Sequence, residues 1–468
     1  HQTFPLVVWV GRTRVLDFSE CSYRNSPPPY RVTAFSPSYR SYDFYQNIVL
    51  YRGLVCLQSH ARRASLLTEP TRREAANRSR SSSARSELKN CTSVTNIVIA
   101  GDNVTIMIQG GSAIPIISVA ADPRTIRNTS VLLMDVSCSG ETCSSTVPWF
   151  SSSSSSAFIG LNITAQNVTA HMEKVDKGVA GLIHIYSHRL QNITLVVRNC
   201  NIRTNTTPIV VISSEIAANV SVNFLDSHIE QQSTVNLTAQ YGFIYLACFD
   251  ECAQLHTAIS RANLTVRRSV YAVNTTTSNS LRDVTRASWR LLWISVRRGS
   301  AVAGSINVEV YDSVISSEFV ATNKKLPVNV KFVILLLELG EYDKGSQLGS
   351  VPVTIVTDIR RSLFCSSGNE LLLIYVDVDD VFTRAVHLTA KVSDSTLTLV
   401  SDVTKSEQPV AFQRSLTPIF VGTLSMHSDA ILLVSNVQAT WKIEASQAAV
   451  AISDATTVLG AAVCFAPK

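Results

Sequence analysis

Charge is scarce in this chain. Lys, Arg, Asp and Glu make up 16% of the 468 residues, while 46% are hydrophobic. That balance argues against a disordered protein or a coiled coil, and the abundance of Ser, Thr and Val points to an all-β protein. Long apolar runs are missing too. No window approaches the roughly 18 uninterrupted apolar residues of a membrane-spanning helix. The strongest run, residues 332–337, is strand-sized, and residues 448–466 are interrupted by Asp454 and several Ser and Thr. Residues 4–10 lack the length and flanks of a signal peptide. The first residue is His, as expected of a fragment or a processed product, so any membrane association is expected to come through segments outside this chain.

Chemical signatures are equally sparse. There is no P-loop, no G-x-G-x-x-G after a strand, no H-E-x-x-H and no G-x-S-x-G. The nine His are scattered; His184 and His188 are four apart, but in a strand-and-turn context where they do not share a helix face. No cofactor or metal is expected, and no catalytic residue is assigned.

The net charge of +6 is unevenly spread. Residues 1–90 hold fourteen Lys and Arg against six Asp and Glu, leaving the remainder slightly acidic (27 basic, 29 acidic). This segment also carries Pro27-Pro28-Pro29 and an Arg- and Ser-rich run through Arg85. It reads as an irregular or disordered basic lead-in over residues 1–94. Arg62-Arg63 and Arg72-Arg73 lack interleaved aromatics, and no nucleic-acid partner is expected.

Residues 95–468 carry a repeat. Residues 192–214, NITLVVRNCNIRTNTTPIVVISS, show it best. Ile193, Leu195 and Val197 alternate with Thr194, Val196 and Arg198, which puts the apolar set on one face of a strand. Asn199-Cys200-Asn201 breaks the run, and Ile209–Ile212 then forms a wholly apolar second strand. Copies of the alternating strand follow Asn103, Asn162, Asn219, Asn263 and Asn307, and continue at 353–356, 387–392 and 431–434. Four copies close on a polar pair and then an apolar position: Asn199-Cys200-Asn201-Ile202, Asp226-Ser227-His228-Ile229, Asp312-Ser313-Val314-Ile315 and Asp394-Ser395-Thr396-Leu397. In each, the residues two and four before the Asn or Asp are apolar or Ala, so the side-chain register is held. The repeat interval of roughly 27 to 49 residues suits a solenoid. The expected fold is a right-handed parallel β-helix of the pectin-lyase type, with irregular coils and long loops. The face of Ile209–Ile212 turned away from the core needs a cover, for which intramolecular loops are the first choice.

Twelve N-x-[ST] sequons lie between residues 77 and 276: Asn77, Asn90, Asn103, Asn128, Asn162, Asn167, Asn192, Asn205, Asn219, Asn236, Asn263 and Asn274. The segment has sixteen Asn, of which chance would place roughly four in sequons at this Ser and Thr content. The excess favours a secreted or cell-surface glycoprotein. The competing explanation is that Asn suits the turn before a strand and Thr suits the strand. The ten Cys fit an oxidising compartment: Cys138 with Cys143, and Cys248 with Cys252, are close enough for local disulfides. Cys200 and Cys365 divide evenly between disulfide partners and buried thiols.

One acidic cluster stands out, Asp377, Asp379 and Asp380 in Val376-Asp-Val-Asp-Asp-Val. Paired carboxylates do acid–base work in glycosidases, but the Gly-His-Gly and Arg-x-Lys expected beside them are absent. A solvated strand end is favoured over a weak Ca²⁺ site. The repeated Asn-hydrophobic-Thr strands and Asp/Asn-Ser-x-Ile closures, over roughly residues 95–440, resemble kinetoplastid surface proteins of the dispersed gene family type. That resemblance implies a membrane-associated β-helix glycoprotein, surface exposure, and adhesion or host interaction through an extracellular protein or glycan partner. It supplies no catalytic residue. The alternative is a carbohydrate-active β-helix enzyme, a polysaccharide lyase or glycosidase.

Overall fold

The structure is a computed structural model that describes residues 6–8, 15–17, 47–50, 53–58 and 463–465, and between 96 and 444 chiefly the strands and their tight turns. The described residues form strands and turns with no helix, and every strand pairing is parallel. β-branched residues on short alternating segments account for this, since they pack well on a pleated surface and lose side-chain freedom in a helix. The chain is a parallel β-solenoid with three ladders of strands.

The first and second ladders belong to one 23-stranded sheet and the third is a separate nine-stranded sheet. In the coil that begins at Gln240, the first side is Gln240–Cys248, the second Arg261–Arg267 and the third Val270–Thr277. These pair with Arg286–Val296, Gly304–Tyr311 and Val314–Val320 of the next coil. Two strands, Ile183–Arg198 and Val210–Leu225, run over the first and second sides without a loop, which is why the first two ladders count as one sheet. Leu6–Val8, Val15–Asp17, Asn47–Leu50 and Gly53–Gln58 also pair in parallel along the first two ladders. The ladders therefore begin before residue 95, and the rest of residues 1–94 lies outside the described residues.

Residues 192–214 thread all three sides. Asn192 to Arg198 is second-side strand, Asn201–Thr204 is third-side strand, and residues 209–212 open the first side of the next coil. Sequence periodicity shows two strands per coil; the third is hidden because its inward positions are partly polar. Thr204, Gln231, Ser317 and Ser366 all point into the third side and are at most 5% exposed. They pair among themselves or with neighbours: Tyr271 Oη lies 3.0 Å from Gln231 Oε1, and the Ser317 and Ser366 hydroxyls are 2.9 Å apart. Buried hydroxyls need such partners, because an unmade hydrogen bond there costs about 1–3 kcal/mol.

The core is built from in-register columns. Ile106, Val131, Ile163, Leu195, Val222, Leu264 and Val308 stack along the second side, all buried. Each contributes about 1.5–3 kcal/mol by leaving water. Ile193, Leu195 and Val197 are buried, as their alternation predicts. On residues 209–212, Val210 and Ile212 join the core while Val211 faces the other way, yet Val211 is only 3% exposed. The outward face of this strand is thus covered.

The turn between the second and third sides recurs in nine successive coils of the described residues. A residue with positive φ comes first: Asp135, Asn167, Asn199, Asp226, Arg268, Asp312, Arg361, Asp394 and Asn436, with φ between 46° and 60° within the full set of such residues. This left-handed conformation suits Asn and Asp, whose short polar side chains bond locally. The next residue turns inward: Val136, Val168 and Cys200 are buried in the earlier coils, and Val437 is half-buried after Asn436. From Ser227 it is Ser in five successive coils: Ser227, Ser269, Ser313, Ser362 and Ser395. Each hydroxyl donates to the carbonyl two residues back, at 2.7–2.9 Å. Each also accepts the backbone N–H of its counterpart in the preceding coil, at 3.1–3.3 Å, starting with Cys200 N–H to Ser227 Oγ. Successive turns are 32, 32, 27, 42, 44, 49, 33 and 42 residues apart, so loop length varies while the positive-φ corner recurs.

Ser313→Ala removes the acceptor for the buried N–H of Ser269, and a loss of about 1–3 kcal/mol in denaturant-unfolding free energy is expected. Ser313→Cys, which copies Cys200, recovers part of that loss.

Candidate functional site

The outward positions of the second side change from coil to coil. One column runs Thr105, Ser130, Asn162, Thr194, Ser221, Asn263, Asn307, Val356 and Thr389. The next begins with Met107 and Leu132 and becomes charged at Glu309, Asp358 and Lys391. Around Tyr311 the charges interlock. Arg360 grips Asp358 with Nε on Oδ1 at 2.8 Å and Nη2 on Oδ2, and its guanidinium lies 5.5 Å above the Tyr311 ring. Tyr311 Oη donates to Asp358 Oδ2 at 3.1 Å.

Electrostatics make this cluster a poor acid–base site. Burial and the charges of Glu309 and Asp358 push the Tyr311 pKa up to about 12. Burial raises Asp358, but the hydrogen bonds from Arg360 and Tyr311 outweigh it and hold the carboxyl below its usual range. Near neutral pH the phenol keeps its proton and the carboxylate its charge.

Along the edge between the second and third sides, the positive-φ residues form an outward ridge. Asn167 Nδ2 donates to Asp135 Oδ1 at 3.0 Å, and Asn199 Nδ2 to Asn167 Oδ1 at 2.7 Å. Further on, Arg268 is bidentate on Asp226 and Arg361 on Asp312, with Nε contacts of 2.5 Å in both. These guanidinium hydrogen bonds hold both carboxyls below their ordinary pKa. Beside the ridge runs a shallow groove of about 470 Å³ whose third-side wall is Thr169, Asn201, His228 and Val270. Hydroxyl, amide and imidazole alternate there with the Asp226–Arg268 pair at one lip, so the groove offers both donors and acceptors and little net charge.

The sequons fall into groups. Asn103, Asn128, Asn167, Asn192 and Asn219 all have positive φ. Four of them, with Gly160, stack where the second side begins. Asn128 Nδ2 donates to Asn103 Oδ1 at 3.1 Å, and Asn219 Nδ2 to Asn192 Oδ1 at 3.0 Å. Gly160 (φ 76°) separates the two pairs; a Cβ there would stand 3.2 Å from Asn128 Oδ1. Asn162, Asn263 and Asn274 sit in mid-strand. Asn77, Asn90, Asn205 and Asn236 lie outside the residues whose side chains are described.

Asp377 belongs to the first-side strand Glu370–Val378, in backbone register with Glu338 of the preceding coil, whereas Asp379 and Asp380 lie outside the described residues. His184 is half-buried on the first side, and burial lowers its pKa. Among the described residues no three His, Cys, Asp or Glu are grouped to hold a metal, and no helix is long and apolar enough to cross a membrane. Cys138 is disulfide-bonded, and Cys143, Cys248 and Cys252 have no described side chain. Cys200 is a buried thiol in the serine position of its turn, its Sγ 3.2 Å from the Arg198 carbonyl, and burial raises its pKa. The sequence reading missed the Arg-Ser turns at Arg268-Ser269 and Arg361-Ser362, because Arg is a rare choice at positive φ. The signal that reveals them is the Ser spacing and the opposite charge one coil earlier.

Comparison with known protein families, with curated proteins and with solved structures finds no match for this chain.

The lowered carboxyl pKa of Asp312 means that its contribution to stability is present above the unfolded-state value near 4 and is lost as pH falls through the folded value. Asp312→Asn keeps a residue suited to positive φ but gives up the charge. This variant is expected to melt below the parent at pH 7 and low salt, with the gap closing as pH falls through the lowered folded-state value and in about 1 M salt. Melting curves across pH and salt check it.

Proposed function

We propose that this chain is a segment of an extracellular or cell-surface β-solenoid glycoprotein that acts by presenting its sides and edge groove to a protein or glycan partner, in adhesion or host interaction. The observation that carries this reading is the contrast between the two sets of columns on the second side. Inward positions are nearly uniform in chemistry, whereas outward positions vary from coil to coil within one backbone register. A repeat scaffold that varies only its outer face is suited to recognition. The disulfide at Cys138 fits an oxidising compartment. The tied-up charges around Tyr311 favour binding over catalysis, since Asp358 and Tyr311 are held in single protonation states near neutrality.

The resemblance to kinetoplastid dispersed gene family surface proteins belongs to the same reading, with membrane association supplied by segments outside this chain. An antibody against the folded solenoid is expected to label intact, unpermeabilised source cells or to detect the protein in their medium. Labelling only after permeabilisation, with none in the medium, would sink the surface assignment.

A further inference from the structure

The sequon asparagines of the described residues fall into two geometric kinds. Five of the eight described sequon asparagines occupy positive-φ corners, where Asn is favoured for backbone reasons. At these corners the carboxamides bond to one another or to Asp135. Asn263 accepts from Asn307 Nδ2 at 2.8 Å, and Asn274 Nδ2 donates to Glu230 at 3.2 Å. Asn162 differs from all seven. It is exposed in the middle of Ala157–Gln166, its carboxamide makes no hydrogen bond among the described residues, and its in-register neighbours are the short side chains of Ser130 and Thr194.

We propose that Asn162 bears a glycan in the described solenoid and that the corner sequons are structural. Nδ2 is the atom that N-glycosylation consumes. In that transfer Nδ2 attacks C1 of the first sugar of a lipid-pyrophosphate-linked oligosaccharide. The N–C1 bond forms as the bond from C1 to the pyrophosphate oxygen breaks, one amide proton is lost, and the lipid pyrophosphate leaves. At Asn128, Asn167 and Asn219, Nδ2 already donates within the stack. Coils are spaced about 4.8 Å apart, so a sugar there is wedged against a carboxamide or carboxylate above or below it. Asn103 and Asn192 sit directly against such donors. Asn162 has no partner to lose, and Thr164, which completes its sequon, lies on the same outward face.

Transfer acts on the unfolded chain, so the test is made on folded product. The inference rests on the secretory reading, and a supplied leader separates the two: a source protein that is never exported overturns that reading alone. The full chain is expressed behind a heterologous secretory leader in eukaryotic cells, and the protease-resistant fraction is deglycosylated in heavy-oxygen water and mapped by mass spectrometry. Asn162 is expected to be occupied in most molecules, with Asn128, Asn167 and Asn219 bare. Thr164→Val is expected to abolish the Asn162 label and leave protease resistance unchanged. An unmodified Asn162 in folded product, or corner asparagines occupied as often as Asn162, overturns the proposal.

Discussion

The turn between the second and third sides is the constraint on which the rest of this solenoid depends. A coil must change direction there in two residues, and from Asn199 to Asp394 it does so with one residue at positive φ and one small buried residue. The buried serine has a double task, closing its own turn through the carbonyl two residues back and taking the N–H of the coil before it. A buried N–H without a partner is costly, so each serine is held in place by the coils on both sides. The register of the apolar columns follows directly. A slip of one residue would expose Leu195 and its stack and bury Arg198 and its neighbours.

Once the turn is set, the loops are released. Coils of 27 and of 49 residues close on the same geometry. The outward columns are free to change, and the positive-φ ridge shows how that freedom is used. In the early coils it is a chain of amides, and in the later ones it alternates Asp with Arg. Exposed ion pairs of this kind add little energy. Their value lies in matching a coil to its neighbour, because two Arg or two Asp in adjacent coils would repel.

Much of this was legible in the sequence. The alternation around Ile193, the polar pairs that close the strands at Asp226, Asp312 and Asp394, and the spacing of the copies all pointed to stacked parallel coils. The third strand was not legible, since Thr204, Gln231 and Ser366 satisfy their polar groups inside the barrel of coils and so break the hydrophobic pattern. Arg268 and Arg361 were hidden for a related reason: their fitness at positive φ depends on a carboxylate one coil away, a relation that no local window contains. The sequons were legible as a count, but not the backbone conformation of each asparagine. The positive φ and cross-coil hydrogen bonds of Asn103, Asn128, Asn167, Asn192 and Asn219 set them apart from the mid-strand asparagines.

Hydrogen exchange resolved to single amides tests the central claim most directly. The backbone N–H groups of Cys200, Ser227, Ser269, Ser313 and Ser362 lie in two-residue turns, yet each is bonded to the serine hydroxyl of the following coil. They are predicted to exchange as slowly as the strand amides of residues 220–225. Exchange at the rate of ordinary exposed turns would show that the turns are not laddered, and the account of the register would fail with them.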